Sequence, residues 1–305
     1  MKLSKPYLIR SNDLNISDIK LIFEKTDEFL KAGNYSSFED LKNVPLALAF
    51  FENSTRTKLS FELAAKRLGA FTLSFDYVTS SLSKGETNLD TIRTMEAMGV
   101  KIFVIRHKED GIVEELQANS NNIIVNAGDG ETDHPTQGLL DAYTLTKHFG
   151  NLKGLKLCIV GDVSHSRVAR SNINILKKLG VEVSVSAPQE FLPKDNSING
   201  LKVYNHIDDA IINSDVIMLL RVQKERMKNE QFSSVEEYHS NFGMNIKRFE
   251  LKPELVIMHP GPVNYGVELD MEVVIYPNCL IQTQVKYGVY IRMAVLSLLS
   301  DFIKR

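Results

Sequence analysis

Ala47-Leu48-Ala49-Phe50-Phe51-Glu52-Asn53-Ser54-Thr55-Arg56-Thr57-Lys58 runs from five apolar residues into a cluster of three hydroxyls and a guanidinium. An apolar run of that length, closed off by polar residues, reads as a buried strand. Residues 60–68 then carry apolar side chains at three- and four-residue intervals, as a helix does. A strand that feeds a helix through a polar turn is one unit of an α/β fold. Hydroxyls and backbone amides at a helix N-terminus, joined by an arginine, also suit a phosphate dianion. The same residues would serve equally as an ordinary Ser/Thr cap with solvated charges.

The alternation continues in both directions. Residues 47–51, 102–105, 123–126, 156–160, 181–186, 215–220 and 255–259 read as buried strands, and 60–68, 88–98, 137–148 and 167–179 as helices. The expected fold is α/β in two domains, each a parallel sheet flanked by helices, with ligands gathered at the carboxyl ends of the strands. A chain of 305 residues exceeds one compact domain. The boundary is expected at 150–154, where Phe149-Gly150 ends a helix and Lys153-Gly154 precedes a strand. That divides the chain into 1–150 and 151–305. Residues 288–305 read as an amphipathic helix with an apolar face for either domain, and its expected place is back on the first.

Composition narrows the function classes. With 43% hydrophobic and 24% charged residues the chain reads as a folded globular protein rather than a disordered one. A net charge of −2 gives no basic field for nucleic acid or an anionic membrane, so any anion must be held by local arginines, lysines and histidines. Cys158 and Cys279 are the only cysteines, which supports neither a disulfide framework nor a zinc site. No apolar run is long enough to span a bilayer, and the expected location is the cytoplasm.

Further polar turns follow other strands. Gly128-Asp129-Gly130-Glu131-Thr132-Asp133-His134-Pro135-Thr136-Gln137 follows 123–126, with His134 and Gln137 on either side of a proline suited to a first helical position. An imidazole and a carboxamide fixed there can bond a carbonyl oxygen and an amide NH2. Ser81-Leu82-Ser83-Lys84-Gly85-Glu86-Thr87 is a polar loop before a helix, and from composition alone it reads as a solvated connection. Arg106 ends the strand 102–105. In the second half, Gly161-Asp162-Val163-Ser164-His165-Ser166-Arg167 occupies the place of a dinucleotide-binding turn but holds one glycine, so Arg167 suits a carboxylate better than the turn suits a pyrophosphate. Arg221-Val222-Gln223 offers a second guanidinium with an amide. His259-Pro260-Gly261-Pro262 makes a stiff loop able to present carbonyls to an amine, or simply a rigid turn.

Together these segments resemble the aspartate/ornithine carbamoyltransferase family over most of the chain. The Ser-Thr-Arg-Thr and His-Pro-Thr-Gln motifs are shared across that family. Ser81-x-x-Lys84-Gly85-Glu86, Arg221-x-Gln223 and His259-Pro260-Gly261-Pro262 resemble its aspartate branch. The resemblance implies that Ser54, Thr55, Arg56 and Thr57 bind the phosphate of carbamoyl phosphate, with Arg106 bridging phosphate and carbonyl. It implies that His134 helps polarise the carbonyl oxygen, that Gln137, Pro260 and Gly261 hold the carbamoyl group, and that Arg167, Arg221 and Gln223 take the aspartate carboxylates. Ser81 and Lys84 would reach a neighbouring subunit's site, which implies a homotrimer. A separate regulatory chain or pyrimidine-pathway enzyme is a possible partner, and no metal or other cofactor is implied. Tyr265, Lys286-Tyr287 and Lys58 depart from the family pattern. A carbamoyltransferase for another amino acid, a dinucleotide enzyme and a silent scaffold are the competing readings.

Overall fold

The computed structural model describes residues 2–33, 36–76, 85–222 and 234–303. Ser81, Lys84 and Gln223 lie outside the described residues. Contacts divide the chain into two compact units, one of residues 1–143 with 286–305 and one of residues 144–285.

The first unit is built on a four-stranded parallel sheet of order β2-β1-β3-β4, formed by β1 (Pro45–Phe50), β2 (Phe71–Asp76), β3 (Ile102–His107) and β4 (Ile123–Asp129). β1 and β3 are central, and β4 is buried along its whole length. Ala47, Ala49, Phe51, Phe103, Ile105 and Ile124 share one apolar cluster with Ile92 of α3 (Asn88–Ala97) and with Val113 and Leu116 of α4 (Ile112–Ala118). Leu46, Leu48 and Val104 alternate with them and are also fully buried, so both faces are covered and the strands read as unbroken apolar runs. The first helix α1 (Ile16–Ala32) escapes the sequence reading although its signature is present. Asn15 accepts from the Asp18 amide and the Asp18 carboxylate takes the Asn15 amide, a capping box.

α2 (Thr55–Arg67) begins well before the expected residue 60. Its first turn is the polar motif itself, which carries no apolar periodicity because its one buried side chain, Thr57, is polar and Thr55 and Arg56 are exposed. β2 was not expected either. As an edge strand it needs only one paired side, and its Phe71 and Leu73 are exposed.

The second unit has a five-stranded parallel sheet of order β7-β6-β5-β8-β9, from β5 (Lys156–Val160), β6 (Glu182–Ser186), β7 (Lys202–Tyr204), β8 (Val216–Leu219) and β9 (Val256–Met258). The short edge strand β7 is the strand missed there, and the helices at Ile207–Asn213, Val235–Phe242 and Ile246–Phe249 were not expected either. α5 (Pro135–Phe149) starts on the expected proline and precedes the turn at 150–154, while the contact boundary falls inside it. α6 (Arg167–Lys178) and α7 (Ile207–Asn213) pack on this sheet, followed by the short α8 (Val235–Phe242) and α9 (Ile246–Phe249). The last helix, α10 (Ile281–Ser300), begins before the expected residue 288 and its later part packs back on the first unit. Gly288 does not break it. A Cβ at 288 would lie 2.9 Å from Arg292 Nη1, so the glycine makes room for a side chain one turn further along the same helix.

Candidate functional site

In the first unit three strand ends meet. The register sets Phe50 of β1 beside Arg106 of β3, and the Phe51 amide donates to the Arg106 carbonyl at 2.8 Å. The Gly130 amide donates to the His107 carbonyl at 3.0 Å, joining the turn after β4 to the same edge. Ser54–Thr57, Arg106 and the turn carrying His134 therefore lie at the carboxyl ends of adjacent strands, where a parallel sheet collects its ligands.

Ser54 is the N-cap of α2 but its hydroxyl makes no capping hydrogen bond. The first-turn amides of α2 are left to an outside acceptor, and with the helix dipole they favour an anion. Thr57 is buried, whereas Thr55 and Arg56 are exposed. Arg56 makes no ion pair among the described residues. Arg106 is mostly buried, pairs with Glu52 at 2.8 Å and donates from Nη1 to the Ala127 carbonyl at 3.1 Å. Glu52 went unassigned in the sequence, although its place immediately after an apolar strand marked it as a charge held at the strand's carboxyl end.

His134 and Gln137 are both buried at the start of α5. The turn before them closes on itself, with Asp129 and Asp133 bridged by a 3.0 Å backbone bond and Asn126 bonded to the Ile9 carbonyl and the Gly128 amide. Gly130 takes φ +49, and a Cβ there would overlap Asp110. Gln137 Nε2 donates to Asp141 at 3.0 Å.

In the second unit the turn after β5 is held by its own side chains. Asp162 is buried and accepts from the His165 amide at 3.1 Å and pairs with His165 Nδ1 at 2.8 Å. Ser166 caps α6 by accepting from the Ala169 amide at 3.1 Å, and Arg167 is the first helical residue. Gly161 lies at φ +120 close to Leu220 and Tyr238, so it serves close packing here rather than pyrophosphate approach. Arg221 is exposed just beyond β8.

The loop after β9 is held by an unforeseen network. The His259 amide donates to Gln284 Oε1 at 3.0 Å, and His259 Nδ1 accepts from the Gly261 amide at 2.8 Å. That leaves Nε2 to donate to the buried Glu268 at 3.2 Å. Glu268 also accepts from the Asn264 amide at 2.6 Å, and Asn264 Nδ2 donates to the Val222 carbonyl at 3.0 Å. Pro260 and Gly261 are thus fixed relative to the Arg221 strand end. Asn264 and Glu268 had no role in the sequence reading. A carboxylate nine residues past a buried histidine has no periodic signature.

Among the described residues no group of three or more His, Cys, Asp or Glu could hold a metal. Burial pushes the Cys158 thiol up to about 12, which makes it a packing residue rather than a nucleophile. No helix of the described residues is long and apolar enough to cross a membrane.

Residues 7–147 match the family model for the aspartate/ornithine carbamoyltransferase carbamoyl-P binding domain, and residues 153–299 match the Asp/Orn binding domain of the same family. The aspartate carbamoyltransferase catalytic subunit of Acetivibrio thermocellus is 44% identical over 303 residues, 98% of this chain and 97% of that one. The catalytic subunit of M. jannaschii aspartate transcarbamoylase superposes with a TM-score of 0.86 at 32% identity, covering 98% of this chain and 99% of that one. The ornithine carbamoyltransferase from Pyrococcus furiosus superposes with a TM-score of 0.88 at 26% identity, over 100% of both chains. Backbone similarity therefore does not separate the two acceptors.

Proposed function

Because the chain belongs to the aspartate/ornithine carbamoyltransferase family, we propose that it transfers the carbamoyl group of carbamoyl phosphate to the amine of L-aspartate, giving N-carbamoyl-L-aspartate and phosphate. The reaction is the committed step of pyrimidine biosynthesis. The observation that carries the donor half is the first turn of α2, whose amides are uncapped by Ser54 and stand beside the ends of β3 and β4. Aspartate rather than ornithine is favoured by Arg167 and Arg221, two guanidinium groups for two carboxylates, and by relatives named for aspartate.

Residues 1–150 supply the carbamoyl phosphate site and 151–305 the aspartate site, with the last helix returned to the first domain. Ser54, Thr55, Arg56 and Thr57 take the phosphate. Arg106 spans phosphate and carbonyl, exchanging part of its pairing with Glu52 for the substrate anion. The deprotonated amine attacks the carbamoyl carbon and forms the new C–N bond. Thr57, Arg106 and His134 hold the oxyanion, the C–O bond to phosphate breaks, and the departing phosphate accepts the amine proton. Positioning and oxyanion stabilisation supply the rate, with Gln137, Pro260 and Gly261 orienting the carbamoyl group and Arg167, Arg221 and Gln223 the aspartate.

The active form is a cytoplasmic homotrimer to which a neighbouring copy brings Ser81 and Lys84. Leu59 and Leu63 on α2, with Phe71 and Leu73 on β2, leave apolar side chains exposed on the elements that flank β1. Large exposed apolar side chains gathered on neighbouring elements favour a covered interface.

The test is product formation by the purified chain from carbamoyl phosphate with L-aspartate or L-ornithine, alongside sedimentation. Product with aspartate alone from a trimer is expected. A folded chain that uses ornithine, or neither amine, overturns the reading.

A further inference from the structure

We propose that Asp141 is a positioning residue for the carbamoyl group: it pins the nitrogen of the Gln137 carboxamide, so that the oxygen is the atom presented to the carbamoyl NH2. The inference rests on the reading above that this unit binds carbamoyl phosphate.

Gln137 and Asp141 are four residues apart on α5 and therefore share a face. Gln137 Nε2 lies 3.0 Å from Asp141 Oδ1. A carboxylate offers only acceptors, so it fixes which end of the carboxamide it meets. The two ends of a carboxamide have opposite hydrogen-bonding sense. With nitrogen held, the remaining oxygen can accept from an NH2 and gives nothing to a methyl group.

A carboxylate with no exposure needs a compensating charge. Arg292 of α10, also buried, supplies it in the same unit. Its Nη1 donates to Ser60 on α2 at 2.7 Å, and its guanidinium lies 5.0 Å above the Phe61 ring. Gly288 leaves the space, since a Cβ there would meet Arg292 Nη1 at 2.9 Å and Leu140 at 3.2 Å, next to Asp141. Burial pushes the guanidinium down to about 10, the Asp141 charge opposes that fall, and Arg106 adds to it. Arg292 stays a cation at neutral pH, within electrostatic reach of both Asp141 and the anion-binding arginine.

Acetyl phosphate keeps the phosphate and carbonyl of carbamoyl phosphate and replaces NH2 with methyl. The readout is the preference for carbamoyl over acetyl phosphate, taken from their dissociation constants. Asp141→Ala is expected to shrink this preference by about 5- to 10-fold, the worth of one hydrogen bond. Gln137→Ala should shrink it equally, and the double variant no further. Asp141→Asn, nearly isosteric, guards against a variant that fails to fold. Its oxygen turns to Arg292 and its nitrogen to Gln137, which inverts the carboxamide, so the preference should fall at least as far as in Asp141→Ala. Equal weakening towards both phosphates, or multiplying effects in the double variant, overturns the proposal. A wild-type chain that binds no carbamoyl phosphate defeats the proposed function instead. A wild-type chain that makes product while Asp141→Asn keeps its preference defeats only the positioning role.

Discussion

Both units place a strand, a polar turn and a helix where an anion is proposed to bind, and they finish the helix differently. At α2 the cap residue Ser54 leaves the first-turn amides unbonded by its side chain, whereas at α6 Ser166 caps its own helix. The first arrangement offers a row of N–H donors to a dianion with several oxygens. The second withdraws a backbone donor and leaves recognition to the fork of Arg167, which matches a planar carboxylate. The contrast extends to the surrounding turns. Asp162 and His165 lock the second turn from within, while Arg106 in the first is balanced by Glu52, across two elements.

The largest expected effect lies in the first unit. His134→Ala should lower turnover by about 10²–10³-fold, the usual consequence of losing one oxyanion donor. Single-turnover rates with saturating substrates check it, and an unaltered rate would remove His134 from the chemistry. In the second unit Arg221→Ala should reduce kcat/KM for aspartate by roughly 10- to 100-fold, the loss of a charge-assisted hydrogen bond. Its carbamoyl phosphate affinity should stay unchanged. A parallel loss of both affinities would erase the division of labour between the units.

The serine caps give a sharper contrast at smaller size. Ser166→Ala should cost about 1 kcal/mol of stability through the lost cap. Ser54→Ala should leave the urea midpoint in place, because its hydroxyl caps nothing, and should instead weaken phosphate binding. Equal shifts in stability from the two variants would show that Ser54 is an ordinary cap after all.

Which half of each turn was legible in the sequence follows the same line. β1, β3, β4, β5 and β8 announce themselves because burial on both faces demands continuous apolar runs. β2 and β7 leave a weaker trace because, unlike the fully buried edge strands β4 and β9, they expose side chains. Arg56, Arg106, His134, Arg167 and Arg221 were visible as chemistry that no core would hold at a strand's end. Glu52, Glu268 and Arg292 were not, because each acts through a partner distant in sequence, and pairing of that kind has no period. Asp141 sits one helical turn from Gln137 and was passed over because that spacing alone does not separate a functional pair from an ordinary one. Gly288 was misread as a helix start for the same reason, since its cause is Arg292.

The smallest effect tests whether the second turn is also braced from outside. Asp195 accepts from the Ser197 amide at 2.9 Å and pairs with Arg170 of α6 at 2.8 Å, while Arg170 donates to the Ser164 carbonyl at 3.3 Å, in the turn just before Arg167. Hydrogen bonding from Ser197, and after it Arg170, holds the Asp195 carboxyl down to about 2. A carboxyl lowered in the folded state contributes stability in full above its unfolded value of about 3.9, and loses it as the pH falls through about 2. With the side chain 51% exposed, solvent screening keeps the contribution below about 1 kcal/mol. Asp195→Asn should therefore lower the urea midpoint slightly and by the same amount from pH 7 to pH 5, and the gap should narrow below pH 4. Equal midpoints at pH 7 would mean that Asp162, His165 and the Ser166 cap alone hold Arg167 in place.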